Sequence, residues 1–340
     1  MRESEQVPRS PARPIEQKKG NTMYEGFEII DFHAHFPTQN AWFTDMGDTM
    51  KNYTSKVSPE RLKLIREKGA PYGEHWRRMW GFPKPEKPDE HPGDREQARR
   101  WVEELDKYGI RAIGFVTGGG NEHLSEICSW YPDRFVGFVH HSPFVPNAVE
   151  RLERGVKEFG LRGYKLLAPL IEEPIEHPDA FPVWEKCAEL GIPVLIHFGI
   201  QGSSGGIAWH ENINPLKLHN VAKYFPEVDF VVPHFGCAWE RETLQLCWSC
   251  PNVSVDTSGS LQWIRWVPGN LTVKYLFRKY YETIGPSRII FGSDSSWFPR
   301  GFAFRYLQDQ VRDCLDLNFP DEHIQMIFAG NAARLLKIGL

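Results

Sequence analysis

Short apolar runs recur from Phe27 to the C-terminus, and between them lie stretches whose apolar residues return every three or four positions. The runs have the length of single strands and the stretches the period of helices with one buried stripe. The strands predicted in this way are Phe27 to His33, Arg111 to Val116, Phe135 to Val139, Leu161 to Leu166, Pro193 to His197, Asp229 to Pro233, Asn252 to Asp256 and Arg288 to Phe291. Helical stripes lie between them, as in Ala98, Trp101, Val102 and Leu105, or Val149, Leu152, Val156 and Phe159. Gly109, Gly160 and Gly191 stand where such helices should stop, and Asn214-Pro215 has the form of an N-cap followed by proline at the first helical position. Eight strand–helix repeats, with strands apolar on both faces, predict a closed parallel (β/α)8 barrel of the TIM type. An open doubly wound sheet is the competing architecture. It lacks its G-x-G-x-x-G after the first strand, and Gly118-Gly119-Gly120-Asn121 after the second reads as a flexible loop.

The polar residues that break the apolar pattern fall at strand ends. His33 and His35 are two apart, so strand geometry turns both side chains to one face. A single inward histidine is usually a hydrogen-bonded core residue, whereas two at the C-terminal end of one strand make half a metal site. His197 ends the fifth strand, His234 the sixth, and Asp294 closes the run Ile289-Ile290-Phe291-Gly292-Ser293-Asp294 at the eighth. Five metal-competent side chains thus converge on one rim, where leaving them buried without partners would cost several kcal/mol each, on the order of the usual penalty for unpaired polar groups. Lys165 ends the fourth strand, and His140-His141 end the third, where support behind the ligands is the expected role.

His33-Ala34-His35 after an apolar strand, with histidines ending strands five and six and an aspartate ending strand eight, resembles the amidohydrolase superfamily. The closer resemblance is to its amidohydrolase-2 branch, which holds aminocarboxymuconate semialdehyde decarboxylase, related aromatic-acid decarboxylases, and lactone and C–C bond hydrolases. It runs from about residue 27 to the C-terminus, where Gly330-Asn331-Ala332-Ala333-Arg334-Leu335-Leu336 is similar to the branch's usual ending. The resemblance implies that His33, His35, His197 and Asp294 hold a divalent metal. It also implies that Asp294 takes the proton of an activated water and that His234 orients that water or polarises a carbonyl. Three neutral imidazoles and a carboxylate suit Zn²⁺ first and also Mn²⁺ or Fe²⁺. Such an ion lowers the pKa of a coordinated water from about 16 toward about 7. In binuclear members of the superfamily the lysine at the place of Lys165 is carboxylated and bridges two ions; His197 and His234 would then hold the second. One ion is the favoured count, because the branch is generally mononuclear and its lysine often stays an ammonium that binds anionic substrate.

Two activities share these ligands. Hydrolysis of an amide, ester, thioester or lactone is the first expectation, and non-oxidative decarboxylation of an aromatic or enoic acid the alternative. A decarboxylase must hold a carboxylate near the metal, for which Lys165 and Arg300, in Trp297-Phe298-Pro299-Arg300, are the available cations. A non-catalytic barrel with a structural metal is the bland reading, and it would need neither an open coordination position nor His234.

The gap between the first two strands is too long for an ordinary connection, so residues of about 37 to 95 form an insertion. It carries Trp42, Trp76, Trp80, Phe82 and a proline-rich stretch, and it leaves the mouth end of the first strand. A lid and a packing or oligomer contact are both open readings of it, and a homo-oligomer is compatible with the sequence. Its aromatic content points to an apolar or aromatic small molecule as substrate. Residues 1–22 are polar and rich in charge and proline, the pattern of a disordered leader, which leaves 23–340 as one barrel domain.

Of the 340 residues, 41% are hydrophobic and 25% charged, and the net charge is −4, which offers no general attraction to nucleic acid or anionic lipid. No run approaches the ~20 apolar residues of a membrane helix. Six cysteines without a secretory signal suggest reduced thiols and a cytoplasmic setting. Cys247 and Cys250 are two residues of one buried helical face rather than half a zinc site. His210, beyond Gly202-Ser203-Ser204-Gly205-Gly206, is placed on a loop after the fifth strand, and His75, His91, His177 and His323 read as surface residues.

Overall fold

The apolar runs do form strands, and their order around the sheet is their order in the sequence. The computed structural model describes residues 23–39, 58–171, 173–199, 211–265 and 267–339. The leader, Trp42, the loop 202–206 and His210 lie outside the described residues. The strands are β1 (Ile30–His35), β2 (Ala112–Thr117), β3 in two pieces (Phe135–Gly137 and Val139–His140), β4 (Tyr164–Leu167), β5 (Val194–His197), β6 (Phe230–Val232), β7 (Val253–Asp256) and β8 (Ile289–Ile290). Every neighbouring pair is parallel.

The ring closes through backbone hydrogen bonds between β1 and the chain leaving β8: Phe32 N donates to Phe291 O at 3.0 Å, Asp294 N to His33 O at 2.8 Å and His35 N to Ser295 O at 2.8 Å. At the break in β3, Phe138 N donates to Phe115 O at 3.0 Å and Val139 N to Gly163 O at 2.8 Å, so the two pieces act as one barrel strand. The first strand starts later than the pattern predicts. Phe27–Glu28 pairs antiparallel with Met23–Tyr24 in a small hairpin instead, and the barrel strand extends to His35.

A smaller apolar cluster collects Phe32, Ala112, Val136, Phe138, Leu195, Val231 and Ile290, one or two residues from each of six strands, together with Ala332, Leu335 and Leu336 of the last helix. Residues drawn from so many strands can only meet inside the ring, and the last helix plugs one end. Asn331 pins that helix, donating through Nδ2 to Pro286 O and Ile289 O at 2.8 Å each. The larger cluster fills the space between strands and outer helices, with Trp101, Leu105, Phe115, Tyr164 and Trp184 at its heart.

Of the insertion, the helix α1 (Pro59–Trp80) is described. Ser58 caps it by accepting from Arg61 N, and Gly81 ends it at φ 70°. Gly73 is the one residue of α1 that is buried, so the helix stands largely off the barrel. Its C-terminal end is anchored at the mouth: Arg265 Nη1 donates to Met79 O at 3.1 Å and Glu86 N to Phe298 O at 3.0 Å. The chain then enters α2 (Asp94–Tyr108), which buries Ala98, Trp101 and Leu105 and stops at Gly109 with φ 68°.

Candidate functional site

The pairing of β1 with β2 slips between Asp31 and Ala34 and again between Ala34 and His35. Such irregularities at a barrel rim re-aim side chains. Here they leave the rings of His33 and His35 at 5.3 Å, so the two imidazoles converge as their spacing predicts, although the strand is not regular.

His33 is held from behind. Its Nδ1 donates to Asp256 Oδ2 at 2.8 Å, which leaves the lone pair on Nε2; that atom is buried with no hydrogen-bond partner. The other Asp256 oxygen accepts from His234 N at 3.1 Å, from Ser258 N at 2.9 Å and from Ser258 Oγ. Asp256 thus fixes the orientation of His33 and the backbone of His234 together. His234 Nδ1 donates to the Ser258 carbonyl at 2.7 Å, so in its singly protonated form Nε2 is an acceptor. His197 Nδ1 sits 3.1 Å from that Nε2 and must be the donor. The lone pair of His197 therefore lies on Nε2, which is also buried and unpartnered. His35 places Nδ1 at 2.6 Å from Thr117 Oγ1 and Nε2 at 3.3 Å from Asp294 Oδ1.

His234 and Asp294 both lie in the left-handed region, at φ 61° and 58°. That conformation costs a non-glycine residue about 1–2 kcal/mol, and such outliers gather at functional sites. Gly259 shows how tightly the turns fit. At φ 57°, a Cβ added there would stand 2.9 Å from Asp294 Oδ2 and 3.1 Å from His234 Nδ1.

Burial sets the protonation states. It drives His33 down to about 3, drives His197 far below the usual imidazole value and lowers His35, so these rings are neutral at pH 7. Burial alone would raise Asp256 and Asp294, but hydrogen bonds from the surrounding side chains, and attraction to the imidazoles at the acid pH where those rings carry charge, outweigh it and hold both carboxyls below the usual carboxylate range. Neutral imidazole nitrogens beside ionised carboxylates are the donor set a divalent cation takes. Among the described residues, His33, His35 and Asp294 each offer a ligand atom within 4.8 Å of one another, and so do His33, His234 and Asp256. His197 belongs to neither group; its ring lies 5.0 Å from that of His234, and its unpartnered Nε2 is the atom it could contribute.

Lys165 is fully buried, and its ammonium has no hydrogen-bond partner. Its charge bears on His33, His35, His197 and His140, which places it on the same site. Burial pulls its pKa down to about 7, against the attraction of Asp256 and Asp294. Beside it, His140 Nδ1 donates to Lys165 O at 3.1 Å, leaving another buried, unpartnered Nε2. His141 turns away, with Nε2 at 2.9 Å from Ala148 O.

Arg300 sits at the outer edge, where Nη1 donates to Asp294 O at 3.1 Å. It lines a cavity of about 520 Å³ with Trp80, Phe82, Gln262, Arg265 and Tyr306. None of the histidines lines that cavity, and Arg300 is the residue that links it to the Asp294 turn.

Sequence reasoning passed over Asp256, Ser258, Thr117 and Asp31. Asp31 is a buried carboxyl in β1 that accepts from His33 N at 3.1 Å, Ser293 N at 2.9 Å and Ser293 Oγ, and burial raises its pKa to about 7. A charge inside an apolar strand, and another ending the seventh strand, were the available signals. Two histidines expected at the surface are half-buried and paired instead: His91 with Pro37 O at 2.9 Å, and His323 with Tyr281 Oη at 2.6 Å. Cys247 and Cys250 are both buried and in no disulfide. No described helix is long and apolar enough to cross a membrane.

The chain is 26% identical over 323 residues to the 2-keto-4-carboxy-3-hexenedioate hydratase of Sphingobium sp., covering 82% of each chain. It is 30% identical over 79 residues to the 2-amino-3-carboxymuconate-6-semialdehyde decarboxylase of Dictyostelium discoideum, a match covering 23% of this chain and 22% of that one. Its fold is shared with a 5-carboxyvanillate decarboxylase of Novosphingobium aromaticivorans solved with manganese, at a TM-score of 0.61 and 16% identity, covering 95% of this chain and all of that one. A family model for amidohydrolases matches residues 30–338, and with the TIM barrel and the strand-end histidines in place, this chain belongs to the amidohydrolase-2 family.

Proposed function

We propose that the protein is a divalent-metal-dependent enzyme that removes CO₂ from a small aromatic or enoic acid. The observation that carries the reading is Lys165: a fully buried ammonium, without a hydrogen-bond partner, facing a cluster of neutral imidazoles. An uncompensated buried charge is strongly unfavourable, and a substrate carboxylate is the partner that would relieve it. A neutral ester or amide brings no such group. Hydrolysis, the first expectation from sequence, therefore becomes the second reading, favoured by the closeness of Asp294 and His234 on either side of Gly259. The names of the relatives, two decarboxylases and a hydratase of carboxylated compounds, point the same way.

His33, His35, His197 and Asp294 would hold the ion; Zn²⁺, Mn²⁺ and Fe²⁺ all suit this donor set. When bound, the ion supplies Lewis-acid charge for the substrate's oxygens. Lys165 holds the carboxylate that departs. The carbon–carbon bond breaks, its electron pair stays on the ring or enoic carbon, and that carbon takes a proton. The proton comes from water, and His234 is the group placed to deliver it, beside the ionised Asp294 across Gly259. The insertion, whose aromatic end packs at the mouth, serves as a lid that keeps water out. A carboxylated Lys165 bridging a second ion with His197 and His234 is the competing arrangement, and it would forfeit the cation the decarboxylase reading needs.

The test is product analysis with metal-loaded protein and a panel of carboxylated phenols and enoic acids in ¹⁸O-labelled water. Release of CO₂ without label in the organic product is the expected outcome. Label in the product without CO₂, from carboxylic esters or lactones offered in parallel, would put hydrolysis in its place.

A further inference from the structure

The insertion and the Asp294 turn meet at one side chain. The guanidinium of Arg300 lies 4.5 Å from the ring centroid of Phe82, 4.7 Å from that of Trp297 and 5.5 Å from that of Tyr306. Phe82 belongs to the insertion, where it packs edge-on against Trp76 at 5.2 Å and Trp80 at 5.9 Å, and it also meets Trp297 at 5.7 Å. Cation–π contacts hold a guanidinium in one plane more firmly than an ammonium, because its flat face stacks. Held in that way, Arg300 directs Nη1 to the carbonyl of Asp294, 3.1 Å away, on a residue whose backbone is left-handed.

We infer that Arg300 is a positioning residue: it couples the seating of the insertion's aromatic cluster to the turn that aims the Asp294 carboxylate. The coupling runs from Phe82 through the guanidinium to the Asp294 carbonyl. The Asp294 carboxylate in turn faces His35, with Oδ1 at 3.3 Å from Nε2. A lid that lifts takes Phe82 off the guanidinium and loosens the turn; a lid that seats restores it. This differs from a direct contact between Arg300 and a substrate carboxylate, which the sequence also suggests; Nη1 is committed to the backbone while the buried Nη2 has no hydrogen-bond partner, so the kinetics below separate the two roles.

The experiment compares the full-length protein, as purified, with Phe82→Ala, Arg300→Ala, Arg300→Lys and the Phe82/Arg300 double alanine variant. Hydrogen exchange of a peptide spanning residues 293–296 should quicken about tenfold or more in both single alanine variants, while a peptide spanning 193–197 keeps its wild-type rate. The kinetic half rests on the decarboxylase reading of Asp294, and the exchange half does not, so failure of one can be told from failure of the other. On the reaction, kcat should fall about tenfold with KM within about threefold, the double variant should be no worse than Arg300→Ala, and Arg300→Lys should recover part of the loss. Phe82→Leu, which keeps apolar bulk without the ring, serves if the alanine variant does not fold. Unchanged exchange at 293–296 overturns the inference, and so does a rise in KM with kcat held, which would mark Arg300 as a substrate contact.

Discussion

The two sides of the barrel mouth are built in opposite ways. On the side of β1, β7 and β8, hydrogen bonds tie the buried carboxylates to their neighbours and leave His33 Nε2 as the unpartnered ring atom: Asp256 serves His33, His234 and Ser258, and Asp31 serves His33 and Ser293. On the side of β3, β4 and β5, the side-chain tips of His140, Lys165 and His197 are buried and have no partner. The contrast holds among residues that are buried on both sides, Asp31, His33 and Asp256 on one and His140, Lys165 and His197 on the other. A wired side fixes geometry before any ligand arrives, whereas an unpaired side stores an unfavourable energy that only a ligand can release. In the proposed reading, the wired side orients the donors and the unpaired side awaits a cation and an anion together.

The largest expected effect comes from removing that demand. Lys165→Met keeps volume and deletes the charge, so kcat/KM should drop by about a hundredfold or more, while the metal-free protein gains about 1–3 kcal/mol in stability. The gain should depend on pH with a definite sign. Burial lowers the folded pKa of Lys165 to about 7 from an ordinary value of 10.5, so between those values the unfolded chain binds more protons. This lysine therefore weakens the fold as pH falls from about 10 toward 7, and the advantage of Lys165→Met should shrink as pH rises over that window. Urea melts of the two metal-free proteins at pH 7, 8.5 and 10 measure it; a constant difference would mean that the ammonium has found a partner.

On the wired side the expected pattern reverses. Asp256→Asn keeps the shape but removes the charge that fixes the tautomer of His33, and metal affinity should weaken by about 10- to 100-fold. Stability should fall, not rise, since a buried network loses a member. Competition against a metal-responsive dye reads the affinity directly, and wild-type affinity in the variant would show that the wiring is only packing.

The smallest effect tests how closely the two turns fit. Gly259→Ala places a Cβ 2.9 Å from Asp294 Oδ2 in a left-handed position, for a loss of about 1–2 kcal/mol in stability. A fall in kcat of about tenfold should accompany it, because a displacement of this size matters at reacting groups. Thermal melting and steady-state kinetics on the same sample check both.

Much of this was legible in the chain because a (β/α)8 barrel repeats one physical pattern. Buried parallel strands must be apolar on both faces, so a histidine or aspartate at a strand's end stands out, as His33, His35, His197, His234 and Asp294 do. Asp256 escaped notice because one carboxylate ending a strand is ordinary at a loop; only the structure brings it 2.8 Å from His33, 223 residues away in sequence. The slips in β1 were invisible because its composition is that of a regular strand. The helix Pro59–Trp80 was missed for the opposite reason: nearly all of it is exposed, so it needs no buried stripe, and the pattern that marks the barrel helices is weak there. Arg300 could be named as a cation near the site, but its seat between Phe82 and Trp297 depends on how the insertion folds back.

The most direct measurement is metal content per chain, by plasma mass spectrometry, on untagged protein purified without chelators, for wild type and His33→Ala. About one equivalent of Zn, Mn or Fe in the wild type and little in His33→Ala is the expected result. Two equivalents would turn Lys165 from the substrate's counter-ion into a bridge. No transition metal in the wild type, with no activity restored by adding these ions, or full metal in His33→Ala, would contradict a mouth organised around a divalent ion.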